Sequence, residues 1–384
     1  MEIIIFQLSK LQKLCLAIVI ILNINNFSVK VLANNSKCNH ESNICKWLNK
    51  VVAIKTPTMV ASGIILSDDI IVTNRHVVED SQAVLIRMPD KKIRKMITIP
   101  NNHLADIAFL TSEENSSKTS SNINFNFTSS QPDKLRMVAF DIGRNNIRIF
   151  PETNVISYPD NKNLQARIHS LAKNLPGTSG GALIDNNGNL IGIVASGGGE
   201  YNEAVPVILL KDVYNKNNTD RENFFNIGKS MRLCADALEE IQKYDNSPPK
   251  TLLRKIQNNC EISNNKLLFD MAGQAFGRLG LLDDSLYFLE KSSALDPKSP
   301  TSLHSLAITL HLLKSYEKEV EVLKTLLRFT PGDPQALRLA VQAAGFSNNK
   351  EFGEYAISLM EIHNPGAVSL AKGFLESALN QSNK

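Results

Sequence analysis

Residues 175–185 read LPGTSGGALID, in which Ser179 is followed by two glycines and then by a short apolar run of strand length. Two interpretations are open: a nucleophilic serine in a tight turn, or a glycine-rich hairpin. Gly177 allows the backbone to turn so that its own N–H and that of Ser179 point at one spot, as a developing oxyanion requires. Gly180 and Gly181 leave room for a substrate strand. A nucleophilic serine also needs a base and a carboxylate from elsewhere in the chain.

The sequence around this stretch has the pattern of a β protein. From about residue 51 to residue 213, short apolar runs are separated by Gly, Asn, Asp and Pro, and none sustains a helical stripe. The runs of strand length are VVAI, GIIL, IIVT, AVLIRM, DIAFL, RMVAF, LIGIV and AVPVILL. Such spacing predicts an all-β barrel or sandwich. The polar segment between DIAFL and RMVAF is predicted to be a surface loop.

A candidate base follows one of these runs. His76 comes directly after IIVT in the stretch SDDIIVTNRHVVED, where the sheet can hold the residue while its imidazole projects into a cleft. An unperturbed histidine has a pKa of about 6.5, so its ring is largely neutral at pH 7 and accepts a serine proton. A surface or helix-capping role is the alternative for His76 taken alone.

A candidate carboxylate lies in the stretch HLADIAFL. Asp106 is followed at once by apolar residues that enter a strand, so we expect it to be partly buried and to need a partner such as an imidazole N–H. A turn residue at the start of a strand is the alternative. His103, three residues earlier, is a rival base that lacks the setting of His76.

Together, TNRHVV, ADIAFL and GTSGGALID resemble the three signature segments of trypsin-like serine peptidases, the double β-barrel family that includes bacterial HtrA-type enzymes. The resemblance covers roughly residues 50–212. It implies that His76 is the general base, Asp106 its orienting carboxylate and Ser179 the nucleophile of an endopeptidase that works through an acyl-enzyme. It also implies that Gly177 and Ser179 supply the oxyanion hole.

The same resemblance suggests residues that bind substrate. The run LIGIVASGGG is similar to a later strand of the family, so Ser196, Gly197 and Gly198 would pair with the substrate backbone. Lys173 stands where a selectivity residue sits at the base of the pocket in animal digestive members; if it points inward, it would disfavour Lys or Arg in the substrate and favour an acidic or polar side chain. Thr178 replaces the acidic residue that those members use for zymogen activation, which is therefore not expected here.

The C-terminal part has helical periodicity and an internal repeat. Prolines at 297, 331 and 365 are 34 residues apart, a spacing that fits a helix, a turn, a second helix and a stop. The repeat places Leu289, Leu323 and Ile357 in one register on the second helices, and Gly280, Lys314 and Asn348 at the turns between helices. Here the chain resembles tetratricopeptide repeats, although the small residues of that signature are only partly present. The resemblance implies a surface for a protein partner; a plain helical cap is the alternative.

The N-terminus has the order of a secretory signal peptide. Basic residues precede the apolar run LCLAIVIIL, and polar residues then lead to VLA, with a cut expected after Ala33. An uncleaved membrane anchor is the alternative, but the run is about half of the roughly 20 apolar residues that a span needs. Four cysteines follow the predicted cut, and proximity favours pairing Cys38 with Cys45 and Cys234 with Cys260, with free buried thiols as the alternative.

The sequence thus predicts an exported, periplasmic or secreted serine endopeptidase. Its 42 basic and 38 acidic residues are nearly balanced, so no nucleic-acid partner is expected, and no membrane partner after signal cleavage. The expected partners are a protein or peptide substrate and a protein bound by the repeats. No metal or cofactor is expected. The alternatives are a catalytically weak interaction scaffold and an HtrA-like chaperone-protease. The predicted order is a signal peptide (1–33), an N-terminal segment (34–49), the peptidase domain (50–215), a helical linker (216–262) and the tetratricopeptide-like domain (263–384).

Overall fold

The computed structural model describes residues 38–382 apart from residues 114–122, 124, 126, 129, 161–162, 174, 199–200, 218 and 246. The predicted signal peptide, residues 1–33, lies outside the described residues, as does most of the polar segment predicted to be a surface loop. The described residues 38–41 belong to a unit separate from the one that begins at Ser42, and the pairing of Cys38 with Cys45 stays a prediction.

The first half of the chain forms two closed barrels of six antiparallel strands. In the first barrel the strand order is β1-β2-β3-β6-β5-β4. Its strands are β1 Val51–Lys55, β2 Val60–Ser67, β3 Ile70–Thr73, β4 Ala83–Arg87, β5 Ile93–Ile99 and β6 Ala108–Ser112. The apolar residues of these strands fill the barrel because their side chains alternate between its two faces.

The second barrel has the order β10-β11-β12-β9-β8-β7. Its strands are β7 Lys134–Asp141, β8 Asn146–Ser157, β9 Ile168–Ser170, β10 Ala182–Ile184, β11 Leu190–Gly198 and β12 Tyr201–Pro206. One cluster of buried apolar side chains takes members from both barrels, including Val72 and Phe109 of the first and Val138 and Ile193 of the second. This shared core fixes one barrel against the other.

The sequence correctly predicted a β-barrel fold for this half of the chain, but not all of its strands. The prediction missed three strands: β5, which carries exposed basic residues; β8, which contains Pro151 and several polar residues; and β9, which has only three residues. The run AVPVILL was only partly a strand, because β12 ends at Pro206 and the chain continues as helix. The pyrrolidine ring removes a ladder N–H at that point.

The remaining elements are helical. Short helices are α1 Ser42–Cys45, α2 Arg75–Val78 and α3 Leu210–Asn215, and 3-10 turns cover Lys46–Asn49, Ile142–Arg144, Val207–Leu209, Ile241–Lys243 and Pro365–Ala367. The long helices are α4 Arg221–Glu240, α5 Lys250–Ser263, α6 Lys266–Arg278, α7 Leu282–Leu295, α8 Pro300–Leu312, α9 Tyr316–Phe329, α10 Pro334–Phe346, α11 Lys350–His363 and α12 Val368–Ser382. Among the described residues, no helix combines the length and the apolar character that crossing a membrane requires.

The predicted 34-residue period is present in the helices. The first helices of successive pairs begin at 266, 300, 334 and 368, and the second helices at 282, 316 and 350. The residues predicted at the turns, Gly280, Lys314 and Asn348, all have positive φ, and the residues predicted on the second helices, Leu289, Leu323 and Ile357, are buried. The region is therefore a stack of helix pairs; its assignment to the tetratricopeptide family stays a proposal.

The segment predicted as a helical linker packs as part of this stack. Its helices α4 and α5 are joined by the predicted disulfide between Cys234 and Cys260. Both cysteines lie in a buried cluster with Phe269 and Phe276 of α6 and Phe288 of α7. The segment therefore shares a hydrophobic core with the first helix pair.

Candidate active site

The position of His76 is set by the turn that ends β3. Asn74 is extended and begins α2, a single turn whose second residue is His76. The side-chain amide of Asn74 donates to the carbonyl oxygen of Asp106 at 3.1 Å. This hydrogen bond ties the His76 turn to the loop that leads into β6.

His76 and Asp106 are joined by two hydrogen bonds. The backbone N–H of His76 donates to Asp106 Oδ1 at 2.9 Å, and the His76 Nδ1 atom lies 2.8 Å from Asp106 Oδ2. Donation from Nδ1–H to the carboxylate leaves Nε2 as the acceptor nitrogen of a neutral ring. Nε2 makes no hydrogen bond to any described residue, so it is available to take a proton.

The charge of Asp106 is stabilised although the side chain is buried. Burial alone would raise the pKa of this carboxyl, but the adjacent His76, its hydrogen bonds and the Arg167 guanidinium outweigh burial and hold the pKa far below its usual range. Arg167 Nη2 lies 3.3 Å from Asp106 Oδ2. Asp106 is therefore a carboxylate at neutral pH.

Ser179 lies on a turn that packs against the first barrel. The amide of Ser62 in β2 donates to the carbonyl oxygen of Ser179 at 2.7 Å. Gly180 has φ +85°, and a Cβ there would lie 1.9 Å from the Ser62 carbonyl oxygen and 2.4 Å from Oγ1 of Thr73. Because any Cβ would clash at these distances, only glycine allows this approach. Thr73 is the last residue of β3, so the Ser179 turn lies against the strand that leads to His76.

The hydroxyl of Ser179 is hydrogen-bonded elsewhere than to His76. Its Oγ donates to the carbonyl oxygen of Ala195 at 2.9 Å, and no hydrogen bond joins it to His76 in the described structure. The backbone N–H groups of Gly177 and Ser179 donate to no described residue, whereas the intervening Thr178 N–H is bonded to Leu175. Gly177 has φ +95° and its carbonyl accepts from Ser62 Oγ at 2.7 Å.

The predicted substrate-binding residues lie in different environments. Ser196 is buried, and its hydroxyl donates to Oε2 of Glu203 at 2.9 Å. Gly197 and Gly198 are the last residues of β11 and pair with β12. Lys173 is exposed to solvent. Its side chain is therefore accessible to ligands.

The rival base His103 has another role. Its Nδ1 accepts a hydrogen bond from the backbone N–H of Ala105 at 3.0 Å, and burial followed by the positive charge of Lys216 lowers its pKa. No described contact joins its ring to the carboxylate of Asp106. Of the two histidines, the structure brings only His76 to Asp106.

Sequence reasoning missed a buried polar cluster beside Asp106. It includes Arg167 and His169 of the second barrel and Asp296 of the helical region. Ligand atoms of His169, Glu203 and Asp296 lie within 4.8 Å of one another, as a metal site would require. The ammonium group of Lys266, which contacts Glu203, already supplies positive charge there. No single motif marks these residues, because they come from separate strands and helices.

A comparison of the sequence with models of known protein families found a match, which covers parts of both barrels and includes His76 and Asp106. Residues 61–193 match the family model described as the trypsin-like peptidase domain. The chain contains a trypsin-like peptidase domain. This domain carries all three candidate catalytic residues, and the helical region lies outside the matched residues.

The chain with this trypsin-like peptidase domain is also similar to solved structures. The inactive form of the Rv3671c protease of M. tuberculosis is 20% identical, with a TM-score of 0.37, covering 46% of this chain and 93% of that one. The serine endoprotease from Yersinia pestis is 22% identical, with a TM-score of 0.37, covering 45% and 64%. The HtrA-type protease AlgW with tripeptide is 21% identical, with a TM-score of 0.37, covering 45% and 61%. No curated protein matches the chain.

Proposed function

We propose that the protein is a serine endopeptidase that hydrolyses peptide bonds through an acyl-enzyme. Ser179 is the nucleophile, His76 the general base and Asp106 the carboxylate that orients His76 and stabilises its protonated form. The observation that carries this proposal is the pair of hydrogen bonds from His76 to a buried, charged Asp106, with the Ser179 turn packed against the strand that leads to His76.

Two backbone groups are suited to stabilise the transition state. The N–H groups of Gly177 and Ser179 have no partner among the described residues and belong to one turn. Fixed donors of this kind stabilise the negative oxygen of a tetrahedral intermediate. Reaction requires rotation of Ser179 about its Cα–Cβ bond, from the Ala195 carbonyl toward Nε2 of His76.

Substrate selection is proposed for β11 and for Lys173. The backbone of residues 196–198 would pair with an extended substrate, as edge strands pair with peptides. If Lys173 faces the substrate, its positive charge opposes Lys and Arg and favours an acidic or polar residue before the cleaved bond. A peptide-library profile with strong preference for cleavage after Arg would contradict this assignment.

The remaining assignments are export by the predicted signal peptide, the domain boundaries given above, and a tetratricopeptide-like module from residue 263 onward that binds a protein partner. The catalytically weak scaffold is a second candidate, because the Ser179 hydroxyl is bonded to Ala195 rather than to His76. An HtrA-like chaperone-protease has less support, since the described chain after the second barrel is helical.

A fluorophosphonate probe separates the two main candidates. We expect the wild type to be labelled covalently, Ser179→Ala to lose labelling, and Ser358→Ala, at an exposed helical serine, to be labelled like the wild type. Circular dichroism would establish that each protein is folded. A folded wild type without labelling would favour the scaffold.

A further inference from the structure

Arg167 is a buried cation in contact with the candidate catalytic carboxylate. Its side chain is 1% exposed, and Nη2 approaches Oδ2 of Asp106, the same oxygen that faces Nδ1 of His76. Nε and Nη1 of Arg167 have no hydrogen-bond partner in the described part of the chain. A buried guanidinium is unfavourable unless negative charge offsets it, and among the described residues Asp106 is the carboxylate within ion-pair distance of Arg167.

Arg167, the residue directly before β9, is held by the helical region. Asp296, directly after α7, accepts a hydrogen bond from the backbone N–H of Arg167 at 3.3 Å and lies 2.9 Å from Nε2 of His169. The side chains of His169 and Asp296 are both buried. Asp296 therefore attaches the backbone of Arg167 and strand β9 to the end of a repeat helix.

A second buried ion pair strengthens this attachment. The ammonium group of Lys266, the first residue of α6, contacts the carboxylate of Glu203 in β12 and lies 2.8 Å from Asp270. Burial alone would raise the pKa of Glu203, but Lys266, followed by His169 and Arg167, outweighs burial and holds this pKa below its usual value. The pair thus links the first residue of α6 to β12, and a mutation that removes one partner would leave the other charge buried and uncompensated.

Helix α4 holds the His76 turn from another direction. The Arg75 guanidinium donates to the carbonyl oxygen of Phe224 and lies 3.5 Å from the centroid of its ring. Gly228 passes so close to the turn that a Cβ would lie 2.1 Å from the carbonyl oxygen of Glu79. Arg232 pairs with Asp80 at 2.9 Å. These contacts fix the residues on both sides of His76.

We propose that the helical region is a working part of the active site rather than only a module for partners. In this proposal Arg167 is a positioning residue that orients Asp106. Asp296 holds the backbone of Arg167 at the start of β9, and α4 holds the turn that carries His76. The proposal rests on the proposed peptidase function. The two roles of the helical region predict different results: recruitment of a protein substrate would leave the reaction with a small substrate intact, whereas a positioning role would not.

The test measures the rate of fluorophosphonate labelling between pH 5 and pH 9, at a temperature where every variant is folded. Arg167→Gln removes a positive charge near the imidazolium that forms when Ser179 is activated. We expect its labelling rate to fall at least tenfold and the midpoint of its acid limb to move to higher pH. Arg167→Lys keeps the charge and should retain the wild-type midpoint with a smaller loss of rate.

The helical side of the interface is tested in the same assay. Asp296→Asn and Gly228→Ala are expected to slow labelling by the small probe at least fivefold. Gly373→Ala is the matched control, because a Cβ at this helical glycine meets no atom within 4 Å, and it should react like the wild type.

The outcomes are distinct. A wild type without labelling would overturn the peptidase function itself. A labelled wild type whose Arg167→Gln variant has an unchanged midpoint, or whose Arg167→Gln and Asp296→Asn variants both react at the wild-type rate, would overturn the positioning role and leave the peptidase intact.

Discussion

Ser179 Oγ lies 2.9 Å from the carbonyl oxygen of Ala195 and donates its hydrogen bond there. The proton of this hydroxyl is therefore not directed at a base. Catalytic hydrogen bonds are often absent or long before substrate binds and form in the Michaelis complex. In the proposed mechanism, rotation about the Cα–Cβ bond of Ser179 would release this hydrogen bond and redirect the hydroxyl toward His76.

A structure of the fluorophosphonate adduct tests this rotation. We expect Ser179 Oγ to leave Ala195 and bond to phosphorus, while the phosphoryl oxygen accepts from the N–H groups of Gly177 and Ser179 at about 2.7–3.1 Å. X-ray crystallography of the labelled protein gives these distances. An adduct whose phosphoryl oxygen points away from both N–H groups would remove Gly177 from the oxyanion hole.

Asp106→Asn separates the orienting role of this residue from the rest of the site. An amide cannot hold the Nδ1–H tautomer of His76, so kcat should fall by about 10³- to 10⁴-fold. The variant also leaves Arg167 buried beside a neutral group, which should lower the free energy of unfolding by about 3–5 kcal/mol. Kinetics on a fluorogenic peptide and urea unfolding measure the two effects. Full activity would mean that another group orients His76.

Gly180→Ala tests whether close packing of the two barrels at the Ser179 turn requires glycine. The new Cβ would meet the Ser62 carbonyl at 1.9 Å with φ at +85°, so we expect a loss of more than about 3 kcal/mol together with loss of labelling. Gly280→Ala is the control for φ alone: its φ is +71° and a Cβ there meets nothing within 4 Å. It should lose only about 1–2 kcal/mol. Equal losses in the two variants would show that strain, not contact, limits Gly180.

The disulfide between Cys234 and Cys260 should stabilise the first helices of the C-terminal region. It closes a loop of 26 residues, for which chain entropy predicts about 3–4 kcal/mol. In the double variant Cys234→Ser/Cys260→Ser, we expect the helical circular-dichroism signal to begin to fall at a lower temperature than in the wild type. If α4 fixes the His76 turn, labelling should fall over the same temperature range. A double variant that melts like the wild type would show that packing alone holds α4 on α5.

The sequence predicted the parts of the site that are local in the chain. His76 and Ser179 each lie in a short motif whose neighbouring residues suggest a chemical role. The proline spacing correctly predicted the turns at Gly280 and Lys314. Arg167 was not predictable in this way. A lone arginine before a three-residue strand carries no pattern, and its role depends on Asp106 and on contacts made only when the helices fold onto the second barrel.

The same reason explains the strands that were missed. Strand β5 exposes its basic residues, and β9 buries His169 and Ser170 where apolar residues would be expected. Polar side chains in β9 are acceptable because Asp296 lies against His169, a partner 127 residues away. Periodicity describes burial against apolar neighbours, so it does not detect a strand buried against a polar network.

Glu319 gives the helical region a pH-dependent stability. Its side chain is buried at a position where the repeat pattern favours a small residue, and His311 Nδ1 lies 3.0 Å from both carboxyl oxygens. Burial raises the pKa of Glu319 to about 8, above the usual value of about 4.3. The folded state therefore keeps this proton over a pH range in which the unfolded state has lost it.

The sign follows from the proton count: the contribution of Glu319 to the free energy of unfolding should fall as pH rises from about 4.3 to 8, and should be lost above that range. Glu319→Gln carries no titrating proton, so its stability relative to the wild type should increase across the same range. Glu317→Gln, at an exposed position on the same helix, is the control and should differ from the wild type by a constant amount. Urea unfolding at pH 5, 6, 7 and 8 measures these differences. A constant difference for Glu319→Gln would mean that this carboxyl titrates alike in the folded and unfolded states, and that burial beside His311 does not retain its proton.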